Sequence, residues 1–211
     1  MSNSQSFNPI RRPVGIYDEE MLCGDCEGKF DKCDDYAFKK LILERESAQV
    51  IVDSNGDEFA LMQKEYNYKL IREFILSLLL RAELTTDFFF QHVKLGPYRR
   101  KLIDYFNGKY KLNGNMFSTY FFYYKEIKCG PLIVPPGKMN ISDINFYHFH
   151  LGRLGFCIKV DNRCAPKYLD EILIKSNHPL IIVRKNFGGS QLHKISLSFL
   201  DNPKNEEYFA N

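Results

Sequence analysis

Several features that would identify a function are missing from this sequence of 211 residues. It contains no tryptophan, no Gly-rich phosphate loop, no Ser-His-Asp order and no His-Glu-x-x-His motif. The longest apolar run, at 74–80, is interrupted by Ser77 and is far shorter than the roughly 20 residues that span a bilayer. These absences argue against the nucleotide-binding and hydrolase classes defined by such motifs, and against a transmembrane protein.

Charge and cysteine content are equally moderate. The net charge is +3, which is too small to identify a partner. Six cysteines occur in an irregular pattern, and no secretory signal begins at Met1. We therefore expect a cytoplasmic protein with free or metal-bound thiols rather than disulfides, and no membrane partner.

Apolar and aromatic residues are abundant, with 45% hydrophobic residues, 18 Phe and 13 Tyr, so aromatic packing must fill much of a globular core. Apolar periodicity predicts a helix at about 30–44 and a stronger one at 66–84, with shorter helices at 87–93 and 98–106. Two β-rich runs, 49–52 and 58–62, flank Asn55-Gly56 and predict a β-hairpin.

The pattern changes near residue 112. The β-rich runs beyond it are 117–124, 132–134, 144–151, 156–160, 180–184 and 195–200, and 166–176 has a helical pattern. The expected fold class is α+β: a helical N-terminal half with a Cys-x-x-Cys knuckle and a short hairpin, then a mostly antiparallel sheet. The chain divides into regions 1–111 and 112–211, or forms one continuous domain.

The paired cysteines, Cys23 and Cys26, have the spacing at which two thiolates meet one Zn²⁺. A structural zinc site needs four ligands, and the usual second pair is missing. Cys33 is the candidate third ligand; the fourth would be Cys129, Cys164, a histidine or a group from another chain. The alternative is a pair of reduced thiols without metal.

Two blocks of sequence carry a resemblance. The first comprises Arg12-Pro13, Gly15-Ile16-Tyr17-Asp18, Leu22-Cys23, Cys26-Glu27, Phe30, Asp35 and Tyr36. The second comprises Leu79-Leu80-Arg81-Ala82 and Phe90-Gln91-His92-Val93-Lys94-Leu95-Gly96-Pro97. Together they resemble a family of uncharacterised bacterial proteins that is similar to HNH-type endonucleases.

The resemblance implies a zinc-knuckle module that works on nucleic acid or in bacterial (phage) defence. Longer members of that family carry an upstream Cys-x-x-Cys pair and a Ser-His-Ile segment, and this sequence has neither ahead of Cys23. Half of the family's zinc site and its catalytic histidine are therefore missing. We expect a protein without nuclease turnover and assign no catalytic residue.

Two stretches of opposite charge follow each other in the chain. Between 18 and 35, eight acidic residues accompany two lysines, and this negative charge repels phosphate. The acidic residues indicate either the solvated start of a helix or carboxylates that bind Mg²⁺. Between 94 and 111, six basic residues accompany one acid and interleave with aromatic rings. Because Arg100 and Asp104 are expected to pair, the candidate nucleic-acid contacts are Lys94, Arg99, Lys101, Lys109 and Lys111. The alternative is an amphipathic helix with its cations in solvent.

His148 and His150 alternate, so on a strand they share one face, within reach of one metal or one phosphate. The simpler interpretation is that both histidines are ordinary polar residues on an exposed face of a sheet. We expect His92 to be a packed or capping residue.

We therefore expect a non-catalytic, nucleic-acid-associated binding module. One alternative is a protein-interaction or regulatory subunit whose acidic knuckle docks a basic partner. Another is an active metal-dependent HNH-type nuclease that uses His92 or His148 and His150.

Overall fold

The computed structural model describes residue 18, residues 21–125 and residues 134–186. Its first half begins with α1 (Gly24–Glu27) and α2 (Asp31–Phe38), which a π turn (Lys39–Leu43) and a 3-10 turn (Glu44–Ser47) continue. The hairpin of β1 (Gln49–Val52) and β2 (Glu58–Gln63) follows. Next come α3 (Tyr68–Leu84), a 3-10 turn (Phe88–Phe90) and α4 (Pro97–Phe106).

The second half supplies five strands. These are β3 (Thr119–Tyr124), β4 (Gly137–Ile141), β5 (Ile144–Leu151), β6 (Leu154–Lys159) and β7 (Leu180–Lys185), with a 3-10 turn (Lys167–Leu169) before β7. All seven strands form one sheet in the order β1-β2-β7-β3-β6-β5-β4. Neighbouring strands are antiparallel except for the parallel pair β3–β7. The predicted α+β class, with a mostly antiparallel sheet, is confirmed.

Local chemistry explains where these elements begin and end. The side chain of Asn67 caps α3 by accepting a hydrogen bond from the Leu70 N–H at 3.1 Å. Pro97 occupies the first turn of α4, where its missing N–H costs nothing. In the hairpin turn, the Asp53 carboxylate accepts from the Asn55 and Asp57 N–H groups, and Gly56 supplies the left-handed residue at φ 83°.

The sheet is covered on both faces. On one face, which we call the helix face, Phe121, Phe156 and Ile182 pack with α3 in the larger core cluster. The opposite face carries a second cluster that includes Phe122 and Cys157. Every residue of β3 and of β6 is buried, which explains why most of their residues are apolar or aromatic on both faces.

Two expected helices are wrong, and one strand was not expected. Residues 166–176 do not form a helix, because Leu173 instead makes an isolated antiparallel bridge to Tyr120, leaving only the 3-10 turn. Only three residues of 87–93 are helical. Strand β4 was not predicted, since its exposed Lys138 and Asn140 break the apolar pattern. Of the expected strand 132–134, Val134 lies outside any strand and residues 132–133 lie outside the described residues. The expected strand 195–200 and residues 11–17 also lie outside the described residues.

The hairpin from the first half and the strands from the second belong to the same sheet, because β2 pairs with β7 from Gln63↔Leu180 to Ala60↔Val183. The larger core cluster likewise includes residues on both sides of residue 112. Within the part of the chain that the structure describes, no helix has the length and apolarity needed to cross a bilayer.

Candidate functional site

An open pocket of about 420 Å³ lies where the N-terminal turns, α3 and the end of α4 meet. Its charged and aromatic lining comprises Lys29, Lys69, Glu73, Tyr105, Phe106, Tyr110 and Lys111. We call it the lysine pocket, after its three lysines. Each lysine comes from a different part of the chain, so no local sequence pattern reports their proximity.

Aromatic packing brings the walls of the lysine pocket together. The Phe30 ring meets the Phe106 ring edge to face, with centroids 4.9 Å apart. The Arg81 guanidinium lies 5.4 Å from the centroid of the Phe30 ring and pairs with Asp34 at 2.9 Å. The acidic and the basic stretches of the sequence are therefore neighbours in the fold.

The chain reverses direction after α4, and this reversal brings Gly108, Tyr110 and Lys111 into the lining of the pocket. Gly108 adopts φ 71°, which favours glycine, and the N–H groups of Lys109 and Tyr110 donate to the Asp104 carbonyl at 2.7 and 3.1 Å. The same reversal leaves Tyr110 with 37% of its surface exposed. The exposed ring of Tyr110 and the side chain of Lys111, the next residue, therefore both line the open pocket.

The lysine pocket has excess positive charge. Lys69 pairs with Glu73 at 3.8 Å, but the Lys69 side chain is 77% exposed, so the pair contributes little. Lys29 and Lys111 are exposed and form no ion pair with another described residue. The lining therefore holds two ammonium groups without an ion-pair partner among the described residues, while Lys29 has the exposed acidic residues Asp25, Glu27 and Asp31 as neighbours in the chain.

The predicted nucleic-acid contacts are distributed more widely than one pocket. Lys111 lines the pocket, whereas Lys94, Arg99 and Lys109 are exposed elsewhere on the surface. Lys101 places its ammonium 5.1 Å from the centroid of the Tyr98 ring. Arg100 and Asp104 pair at 3.0 Å, as predicted from their spacing.

Sequence reasoning missed Lys29 and Lys69. Lys29 lies in the acidic stretch, where the charge count hid it, and Lys69 lies in the first turn of α3. Acidic side chains of that stretch are partly engaged within the fold, since Asp34 pairs with Arg81. No signal along the chain could have marked these two lysines.

Cys23 is the N-cap residue of the short helix α1, and Cys26 lies within this helix. The N–H groups of Cys26 and Glu27 donate to the Cys23 carbonyl at 2.9 and 3.0 Å. A backbone hydrogen bond from Cys26 lowers the pKa of Cys23, and the hydrogen bond with the Cys23 side chain raises the pKa of Cys26. Cys23 is exposed and Cys26 is half-buried, so the pair is open to solvent.

Cys33 does not join this pair. It is 3% exposed on the inner side of α2, and its thiol donates to the Phe30 carbonyl at 3.0 Å. Burial raises its pKa to about 11, whereas zinc binds thiolates. In the described ranges, no group of three or more His, Cys, Asp or Glu residues is arranged to hold a metal ion. The fit to Zn²⁺ is thus limited to two ligands, Cys23 and Cys26, and zinc there stays a prediction.

The histidines lie differently from what the sequence suggested. His148 and His150 do share one face of β5, with ring centroids 5.4 Å apart. The interpretation as exposed decoration is wrong, because both residues are half-buried on the sheet face opposite the helices. His92 is exposed, so the expectation that it is packed is wrong, and a capping role stays a prediction.

No protein-family model, curated protein or solved structure matches this chain. The resemblance to HNH-like proteins stays a prediction.

Proposed function

We propose that this protein is a non-catalytic binding module that holds the backbone of single-stranded nucleic acid in the lysine pocket. One observation carries the proposal: Lys29, Lys69 and Lys111, which are far apart in the chain, converge on one open pocket with Tyr110 at its mouth. Ammonium groups bind phosphates as point charges, and an exposed tyrosine ring stacks on a base of any sequence.

The chemistry of the pocket favours binding over turnover. Glu73, the carboxylate in its lining, is paired with Lys69. Cys33 also touches the pocket, and its raised pKa keeps the thiol protonated at neutral pH. The described lining therefore offers three lysines, aromatic rings, one carboxylate next to a lysine and one protonated thiol.

The test is a salt series of binding to a fluorescent single-stranded oligonucleotide. Three phosphate contacts predict a slope of log affinity against log salt of about −2, at roughly −0.7 per contact. We expect the double variant Lys29→Glu/Lys111→Glu to reduce both affinity and slope.

A matched variant, Lys138→Glu/Lys167→Glu, makes the same change of net charge at exposed positions outside the pocket lining. It should bind nearly as well as the natural protein. A third variant, Arg99→Glu/Lys101→Glu, measures how far the contact surface extends along α4. Absence of binding at low salt, or equal losses in the pocket and control variants, would reject the proposal.

A second candidate function is self-association through the edge strand β1. Val50 and Val52 are 42% and 56% exposed, and β1 has β2 as its single strand partner among the described residues. β1 carries no charged residue, so two copies can pair edge to edge without repulsion. Sedimentation should show a dimer that Val50→Lys/Val52→Lys dissociates; a monomer at all concentrations would exclude it.

A further inference from the structure

The sheet face opposite the helices carries a set of titratable groups that the lysine pocket does not use. Across the strands, Phe122 is opposite Gly155, which is opposite His150. One row away, Tyr120 is opposite Cys157, which is opposite His148. Directly opposed residues share a face, so these side chains form one continuous surface. We call it the histidine face.

Lys185 of β7 reaches over this surface. Its ammonium lies 4.1 Å from the centroid of the Phe122 ring and 5.7 Å from that of Tyr120. It forms no ion pair with any carboxylate in the part of the chain that the structure describes. Ammonium groups removed from water are normally paired, because an unpaired charge in a region of low dielectric is costly.

The two histidines carry polar atoms without partners on the same face of the sheet. The Nδ1 atoms of His148 and His150 are buried, and neither has a hydrogen-bond partner within the described ranges. The His150 ring stacks on Tyr124, with centroids 6.1 Å apart and planes at 13°, and meets Phe122 edge-on. Buried ring nitrogens are ordinarily satisfied, so two orphaned atoms on one face require an explanation.

Two glycines make room for this arrangement. A Cβ atom at Gly137 would lie 2.4 Å from Nε2 of His148, so the ring lies directly over the backbone of β4. A Cβ atom at Gly155 would lie 2.2 Å from the ring of Phe122, the ring beneath the Lys185 ammonium. The positions of the His148 ring and of the Lys185 platform therefore both depend on the absence of a side chain.

The residues that form the histidine face include no carboxylate. Burial lowers the pKa of His148 and of Lys185, and it lowers the pKa of His150 to about 4, with His148 and Lys185 adding to the effect. The titratable neighbours from the other strands are Tyr120, Tyr124, Cys157 and Lys159. Burial raises the pKa of Tyr120 and Cys157 and lowers the pKa of Lys159. None of these groups is a carboxylate, so a bound anion would meet no negative competitor among them.

We propose that the histidine face binds a small oxyanion, either a phosphate or a carboxylate group, between the Lys185 ammonium and the Nδ1 atoms of His148 and His150. The oxyanion supplies the missing partner of the ammonium, and the ring nitrogens donate hydrogen bonds to its oxygens. Phe122 and Tyr120 form the apolar floor beneath the ammonium. This site is distinct from the lysine pocket and does not depend on it.

The first experiment is a titration of the natural protein with inorganic phosphate and, separately, with acetate, followed by imidazole NMR signals. We expect the ligand to shift the signals of His148 and His150 and to raise their pKa values, because a nearby negative charge favours the imidazolium. The exposed His92 and His178 should not respond. The ligand that acts at lower concentration identifies the source of the oxyanion.

The second experiment measures affinity by calorimetry in variants. Lys185→Met should weaken binding by about tenfold or more, because it removes the charged partner. His150→Phe should weaken it less, whereas Lys167→Met, at an exposed lysine, should have no effect. Lys29→Glu/Lys111→Glu should leave the histidine shifts unchanged, which separates this site from the lysine pocket.

Two results would overturn the proposal. One is the absence of any shift of His148 or His150 with either anion in the natural protein, which needs no variant to fold. The other is equal affinity in Lys185→Met and Lys167→Met.

Discussion

The two faces of the sheet differ in chemistry although they share the same strands. On the helix face, Phe121, Phe156 and Ile182 are all fully buried among other hydrocarbon groups. On the histidine face, alternate positions of the same strands bring Phe122, Cys157, Lys159, Lys185 and the two histidines to one surface. The two-residue period of a strand separates these sets completely.

This difference teaches where stability and function reside in the molecule. The helix face buries mostly apolar groups, which stabilises the fold, although Oε1 of Gln63 and Nε of Arg184 on it also lack a hydrogen-bond partner among the described residues. Burying polar groups without partners costs free energy on either face. Some polar groups on the histidine face are structural: Lys159, for example, donates to the carbonyls of Asp161 and Arg163. Nδ1 of His148 and of His150 forms no such hydrogen bond among the described residues, and the contacts of the Lys185 ammonium there are with aromatic rings and not with a carboxylate.

The largest expected effect is on the helix face. Phe156 is fully buried and stacks on Phe149, with planes at 3° and centroids 5.2 Å apart. Phe156→Ala should lower the free energy of unfolding by about 3–5 kcal/mol, because it leaves a cavity. Urea unfolding measures it, with Phe38→Ala, at a side chain that is 56% exposed, as the control that changes stability by less than about 0.5 kcal/mol.

Gly155→Ala should have the next largest effect, through the histidine face. The new methyl group would collide with the Phe122 ring, and such overpacking costs about 1–3 kcal/mol. Gly114→Ala is the matched control, since a Cβ atom there meets nothing within 4 Å. Adding Phe122→Leu should recover part of the loss; if the double variant is no more stable than Gly155→Ala, the collision is not the cause.

Acid should weaken the fold through the histidine face. The pKa of His150 falls from the ordinary 6.5 to about 4, so the unfolded chain binds this proton before the folded protein does. Stability should therefore fall as pH decreases from about 6.5 to about 4, by up to about 1.4 kcal/mol per pH unit for one proton, and be unaffected by this group above 6.5.

Urea unfolding at several pH values tests this dependence. His150→Phe should flatten the slope, while His178→Gln, at an exposed histidine, should retain it. A slope that is identical in the His150 variant and the natural protein would show that this imidazole is not held neutral.

The smallest expected effect is an increase in the free energy of unfolding. Lys185→Met keeps the length of the side chain and removes a partly buried charge, so it should raise the free energy of unfolding by about 0.5–1 kcal/mol in the absence of anion. Lys167→Met should be neutral. A loss of stability in Lys185→Met would mean that the ammonium stabilises the fold, and the contrast between the two faces would no longer hold.

Local patterns were sufficient to predict much of the fold. The apolar residues of α3 and the Asn-Gly turn of the hairpin act over a few residues, so the sequence alone indicates both. The helical pattern at 166–176 fails because the bridge between Leu173 and Tyr120, residues distant in the chain, overrides it. β4 escapes prediction because an edge strand keeps polar residues such as Lys138 in solvent.

The candidate sites were much less predictable. Sequence reasoning found Lys111 and the shared face of His148 and His150, because both signals are local. It could not find the convergence of Lys29 and Lys69 with Lys111, which depends on how three elements pack. Nor could it find the burial of the histidines, since Leu169 and Leu173, which pack on that side of the sheet, come from a segment after β6.

The pairing of β2 with β7 also sets the timing of folding during synthesis. Ala60 pairs with Val183, so the hairpin emerges from the ribosome about 120 residues before the strand that completes its sheet. At roughly 5–20 residues per second, this interval lasts about 6–25 s. During this interval, the edge of β2 that later pairs with β7 is unpaired and could pair with other chains. Contacts between residues so far apart in the sequence also form slowly. We therefore expect the nascent chain to be held by a chaperone until β7 has been translated.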